Sequence, residues 1–180
     1  MPSEVHNLLA IAGLRWLHNK ATGRGVRGGF EVPLAEGYVA DAVGLCAFQQ
    51  RFADAYVGKS NMERDGIYLI VPEVICVFEA KATRSDFLAT FGGGERHANR
   101  NSPVGNLHWC VCPQNVALPG DLPDWWGLLS RRGAGLEELR APTFRPQDDA
   151  TLFRMAYQVL WYAKNNQQRF ARAVYDSLEH

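Results

Sequence analysis

The sequence predicts an α/β fold, and three features of the chain carry that prediction. An apolar stripe at helical spacing opens it, with Val5, Leu9, Ala12 and Trp16 on one line and Leu8 and Leu17 widening it. Several runs of β-formers follow, the longest being Val74-Ile-Cys-Val-Phe-Glu79-Ala-Lys81. A second helical pattern, holding Phe87, Leu88 and Phe91, is set between two of those runs.

Taken in order, Ser3 is the expected N-cap of a helix reaching to about Lys20, because its hydroxyl can accept from the free amides of the first turn. Thr22 to Gly29 contains four glycines and reads as a turn. Residues 29–35 and 37–48 read as the strands of a hairpin about Ala35-Glu-Gly37, and residues 49–66, polar and charged, as an insertion. Ile67 to Ile70 and Glu73 to Ala82 read as strand, and Ser85 as the cap of the helix that follows, interrupted by Gly92-Gly-Gly94. Leu107 to Cys112 is a buried strand, and Pro123-Asp-Trp-Trp126 a short helical turn. Trp126 to Arg131 and Leu136 to Arg140 form a hairpin across Gly133-Ala-Gly135. Asp148 or Asp149 caps a last helix with Leu152, Met155, Ala156, Val159 and Leu160 inward. Residues 1–177 form one domain, and Leu178-Glu-His180 reads as the start of an expression tag.

Length and composition agree with one globular domain: 180 residues, 47% hydrophobic and 21% charged. Nineteen basic and nineteen acidic residues cancel, which argues against tight non-specific nucleic-acid binding by bulk charge. Cys46, Cys76, Cys110 and Cys112 all lie in apolar runs, as buried free thiols do, and no apolar run is long enough to span a membrane. A cytoplasmic protein without a signal peptide is expected.

Two glycine motifs are decoys. Gly23-Arg-Gly-Val-Arg-Gly28 follows a helix and precedes a strand, the reverse of a dinucleotide-binding turn. Gly58-Lys-Ser60 ends like a P-loop, but Ala53 stands where its first glycine belongs. His108, Cys110 and Cys112 share one strand face, yet lack the Cys-x-x-Cys spacing of structural zinc sites and read as core.

The chemistry-bearing residues are Asp41, at the end of one apolar run, and Glu79 and Lys81, at the end of another. Strand alternation puts Glu79 and Lys81 on one side and Ala80 on the other. Two carboxylates supply the hard oxygen ligands that Mg²⁺ prefers, with an ammonium beside the reacting group. The plainer alternative is a surface ion pair between Glu79 and Lys81, which would be nearly inert.

Asp41, then Glu79-Ala-Lys81 on the next strand, resembles the motif of the PD-(D/E)xK nuclease superfamily. Glu31-Val-Pro-Leu, Tyr38-Val-Ala-Asp41-Ala-Val-Gly and Phe78-Glu-Ala-Lys81-Ala-Thr-Arg-Ser-Asp86-Phe-Leu together resemble the MmcB-related family of DNA-repair proteins, over roughly residues 3–145. Leu107-His-Trp-Cys-Val-Cys-Pro113 and Trp126-Gly-Leu-Leu fall where that family has a further strand and a hairpin.

The resemblance implies a restriction-endonuclease-like core, with a mixed central sheet flanked by helices, and hydrolysis of DNA phosphodiesters with Mg²⁺ or Mn²⁺. Asp41, Glu79 and the Ala80 carbonyl would hold the metal, and Lys81 would orient the water or stabilise the transition state. Glu4, on the first helix, and Glu31, on the first strand, are further acidic candidates. Arg84, Arg96, His97 and Arg100 are candidates for the DNA backbone, and a homodimer would suit cutting of two strands. The sequence departs from the family pattern in having Ala40, not proline, before Asp41, and in the long interval to Glu79. Two other readings stay open: a non-cleaving DNA-binding repair accessory, and an assembly protein using Trp125, Trp126, Trp161 and Tyr162 as a partner surface.

Overall fold

A computed structural model describes residues 3–20, 27–35, 38–46, 74–92 and 104–165. Helix α1 (Glu4–Lys20) precedes strands β1 (Arg27–Ala35), β2 (Tyr38–Cys46) and β3 (Val74–Ala80). Helix α2 (Arg84–Phe91) leads to β4 (Leu107–Pro113), a 3₁₀ turn (Pro119–Asp121), β5 (Trp126–Arg132) and β6 (Gly135–Arg140), and α3 (Asp149–Asn165) follows. The six strands lie side by side in chain order. β1–β2, β2–β3 and β5–β6 are antiparallel, whereas β3–β4 and β4–β5 are parallel. The fold is therefore α/β with a mixed central sheet, as expected.

Alternation along the strands divides the core between the two faces of the sheet. Val74, Cys76, Phe78 and Ala80 of β3 join Leu107, Trp109 and Val111 of β4 under Leu9, Ala10, Leu14 and Leu17 of α1. On the opposite face Ile75 and Val77 pack with Met155 and Val159 of α3. Cys110 and Cys112 meet Phe87 and Phe91 of α2 there. β3 and β4 are buried on both faces, which is why they read as continuous apolar runs.

The α1 stripe is rotated from the expected one. Leu9, Ala10, Gly13, Leu14, Trp16 and Leu17 are buried, while Val5 and Leu8 are exposed. Gly13 sets this rotation: a Cβ there would lie 2.9 Å from Phe78 Cδ1, so the helix backbone settles against the sheet at the residue with no side chain. Leu9, Trp16 and Leu17 lie inward as expected, while glycine, which carries no hydrophobic signal, leaves the true centre line of the stripe one position away from the expected one.

The cap of α2 is Thr83, not Ser85: Thr83 Oγ1 accepts from the Asp86 amide at 3.1 Å. Asp86 reaches back to the Ala82 amide at 3.1 Å, a reciprocal pair that satisfies amides at the helix start. Ser3 and Asp148 take their expected capping positions, Asp148 Oδ1 accepting from the Thr151 amide at 2.9 Å. The expected inward face of α3 is also found, with Leu152, Ala156 and Leu160 flanking buried Met155 and Val159. The insertion at 49–66, the strand at 67–70, and Gly58-Lys-Ser60 fall outside the described residues, as do Arg96, His97, Arg100 and 178–180. Among the described residues, no helix is long and apolar enough to cross a membrane.

Candidate active site

The site lies where β2 and β3 part. Their last paired residues are Ala42 and Phe78. Beyond this point the Ala80 amide takes its partner from a side chain, Asp41 Oδ2, at 2.8 Å. The N–H and C=O of one strand residue project to the same side, so the Ala80 carbonyl faces the same gap. Toward β4 the sheet continues, the Lys81 amide donating to the Val111 carbonyl at 2.9 Å.

A shift of face in β2 makes the gap. Strict alternation would put Ala40 and Ala42 on one face. Instead Ala40 packs on the α3 side and Ala42 on the α1 side. β1 shifts in the same place, with Phe30 on the α1 side and Val32 on the α3 side. Between them Glu31 has φ +50°, in the left-handed region that costs a non-glycine residue energy. The register runs Phe30–Ala42, then Val32–Ala40, so Glu31 stands across from Asp41 in an irregular step of the ladder. Its side chain is exposed.

Two polar assemblies meet at this point. His6 Nε2, from α1, lies 3.0 Å from Asp41 Oδ1. Lys81 Nζ lies 3.3 Å from Glu79 Oε2, and the Tyr38 hydroxyl donates to Glu79 Oε1 at 2.5 Å. Both oxygens of each carboxylate are thus engaged by this chain. The Glu79–Lys81 pair is buried, each side chain only 9% exposed, so it is not the surface pair that sequence alone allowed.

Burial decides the protonation chemistry here. Loss of water, reinforced by the nearby Asp41 charge, raises the Glu79 carboxyl from 4.5 to about 7, against the pull of Lys81 and Tyr38. Burial also disfavours the Lys81 ammonium, but Glu79, Asp41 and Asp86 together outweigh it and its pKa is raised. The hydrogen bond to Asp41 raises His6. Burial and then the Glu79 charge raise the Tyr38 phenol well above its usual value, so it remains a donor.

Among the described residues, no three His, Cys, Asp or Glu side chains already surround one point as a metal cluster. The donor set nevertheless suits a hard divalent cation: two carboxylates and a backbone carbonyl at one gap, with one carboxylate whose ionised form lacks full compensation. Asp41, Glu79 and Ala80, with Lys81 adjacent, therefore come together as the sequence anticipates. Glu4 is exposed in the first turn of α1, and it is His6 that reaches Asp41. Arg84 turns away to Asp121 at 2.5 Å and to the Val116 carbonyl at 3.0 Å.

Sequence reasoning missed His6 and Tyr38. His6 lies three and four residues before Leu9 and Ala10, on the buried line of α1, and correct phasing of that stripe would have found it. Tyr38 gave no comparable signal, because its role depends on the face shift at Asp41.

His108, Cys110 and Cys112 are core, and neither Cys110 nor Cys112 is in a disulfide. Trp126 is buried and Trp125 half-buried, whereas Trp161 on α3 is exposed.

No family model and no curated protein matches the chain. Among solved structures it is similar to the SPO1766 protein of unknown function from Silicibacter pomeroyi. The TM-score is 0.60 at 18% identity, over 100% of this chain and 97% of that one. At that identity the likeness is one of fold: this chain shares its α/β architecture with a protein of unknown function.

Proposed function

We propose that this protein is a metal-dependent nuclease of the PD-(D/E)xK kind, related to the MmcB-like proteins, that hydrolyses DNA phosphodiesters in repair or recombination. The observation that carries the reading is the placement of Asp41, Glu79, Lys81 and the Ala80 carbonyl around the gap between β2 and β3. Asp41 meets Glu79 and Lys81, 38 and 40 positions further along the chain, at one strand fork, and a random surface pair would not be accompanied by a second carboxylate anchored on the intervening backbone amide.

Asp41, Glu79 and the Ala80 carbonyl would hold Mg²⁺ or Mn²⁺. When bound, such a cation supplies Lewis-acid polarisation of the scissile phosphate. The chain's own groups supply the rest. His6 fixes the Asp41 carboxylate from one side while the Ala80 amide fixes it from the other. Tyr38 holds Glu79, leaving its orientation set before substrate arrives. Lys81, kept protonated by three carboxylates, presents positive charge where negative charge grows on the phosphate oxygens.

A non-cleaving DNA-binding accessory is the second reading. It is favoured by the zero net charge and by the commitment of Lys81 to Glu79. Mn²⁺ titration followed by calorimetry or electron paramagnetic resonance tests the metal site: binding should be lost in Asp41→Asn and Glu79→Gln. Binding that is absent from the wild type, or indifferent to both changes, would remove the nuclease reading. Turnover on DNA then separates the two readings.

A further inference from the structure

Away from this site, two buried polar atoms on neighbouring strands have no protein partner among the described residues: His108 Nδ1 and Trp126 Nε1. Their residues are register partners of the parallel pair β4–β5. The rings lie 5.3 Å apart between centroids, inclined at 58°. Both residues are almost fully inaccessible, His108 at 2% and Trp126 at 1% exposed.

The two atoms are chemically complementary. An indole nitrogen is a donor only. The other imidazole nitrogen, Nε2, is left to donate to the Val104 backbone, the partner recorded for this ring, which makes Nδ1 a bare acceptor. Burial, and then the Arg145 charge, lower the His108 pKa to about 3, so the ring stays neutral and in that tautomer at any ordinary pH. Two further rings and a glycine flank the pair. Trp125 meets the His108 ring edge-on at 4.8 Å, and Phe91 meets Trp126 edge-on at 5.0 Å. Gly105, at φ +126°, passes beside the imidazole, where a Cβ would come within 3.3 Å of His108 Cε1.

A donor and an acceptor buried on register partners and not bonded to each other are what an internal water molecule requires. We propose that a single water molecule is bound in the core between β4 and β5, accepting from Trp126 Nε1–H and donating to His108 Nδ1. It completes the hydrogen bonding of both side chains. Through His108 and Val104 it also ties the sheet to the segment that leads into β4. The site is independent of the proposed nuclease chemistry.

Nuclear magnetic resonance on the intact wild-type chain tests this directly. The Trp126 indole proton, assigned through bonds, should show a cross-peak to a long-lived water in paired nuclear and rotating-frame Overhauser spectra. Long-range ¹H–¹⁵N correlations should show His108 as the Nε2–H tautomer with unprotonated Nδ1. His108→Phe should abolish or markedly weaken the water cross-peak while leaving the indole resonance in place. An indole proton with contacts to protein protons alone would overturn the proposal, as would a His108 ring protonated at Nδ1. Because these two readouts need no variant, a His108→Phe protein that failed to fold would leave the test intact.

Discussion

Replacing Glu79 by glutamine probes the physics of the site without presuming its function. Glu79 titrates at about 7 in the folded chain against 4.5 for the free side chain. The folded protein therefore binds a proton more tightly than the unfolded chain does. For a carboxyl raised in this way, stability is greatest at low pH and falls as pH climbs from about 4.5 through 7. At about 1.4 kcal/mol per pKa unit, the fall attributable to Glu79 is about 3 kcal/mol. His6, also raised, weakens the fold in the same direction as it deprotonates, so the wild-type profile alone would mix the two. The difference between wild type and Glu79→Gln isolates Glu79. In urea titrations followed by tryptophan fluorescence, the glutamine variant should gain about 3 kcal/mol on wild type between pH 4 and pH 8. Parallel stability profiles across that range would refute the reasoning, because they would mean that the buried carboxylate has no unmet cost.

Four further outcomes follow from the same geometry. Tyr38→Phe removes the donor to Glu79 Oε1 and should cost about 1.5–3 kcal/mol at pH 8, where the acceptor is ionised, and less at pH 5, by urea unfolding at both values. Thr83→Ala should cost about 1 kcal/mol through loss of the α2 cap, and Ser85→Ala clearly less; equal costs by chemical denaturation would contradict the cap assignment. Gly13→Ala should cost about 1–3 kcal/mol despite its better helix propensity, because its Cβ would press on Phe78, as thermal melts would show. Saturating Mn²⁺ should raise the melting temperature more at pH 8 than at pH 5, since the cation binds the ionised carboxylates and must displace a proton at low pH.

What could be read from the sequence follows the range of the interactions involved. Glu79 and Lys81 share a side because strand alternation is local, and their separation from Ala80 needed no tertiary knowledge. The apolar runs of β3 and β4 were legible for the same reason: burial on both faces leaves no ambiguity about the residues. Asp41 was reachable through the pattern of the motif, but the way it is held was not. Its bond to the Ala80 amide depends on a fork between strands and a change of face that neither strand encodes alone. His6 is not legible because the inward line of α1 runs through Gly13, which has no side chain to mark it. Thr83 and Ser85 are both good capping residues, and only the backbone, extended at Thr83, chooses between them. The buried character of the Glu79–Lys81 pair, on which its chemistry depends, is set by tertiary contacts such as the Tyr38 hydroxyl donating to Glu79, made across 41 positions of chain.

Cleavage of a labelled panel of DNAs (linear duplex, single strand, flap and four-way junction) with Mn²⁺, in wild type beside Lys81→Ala, bears most directly on the central claim. The account predicts cutting of at least one form by the wild type and its loss in Lys81→Ala, with the variant still folded. Intact DNA throughout, or cutting that survives the loss of Lys81, would contradict it.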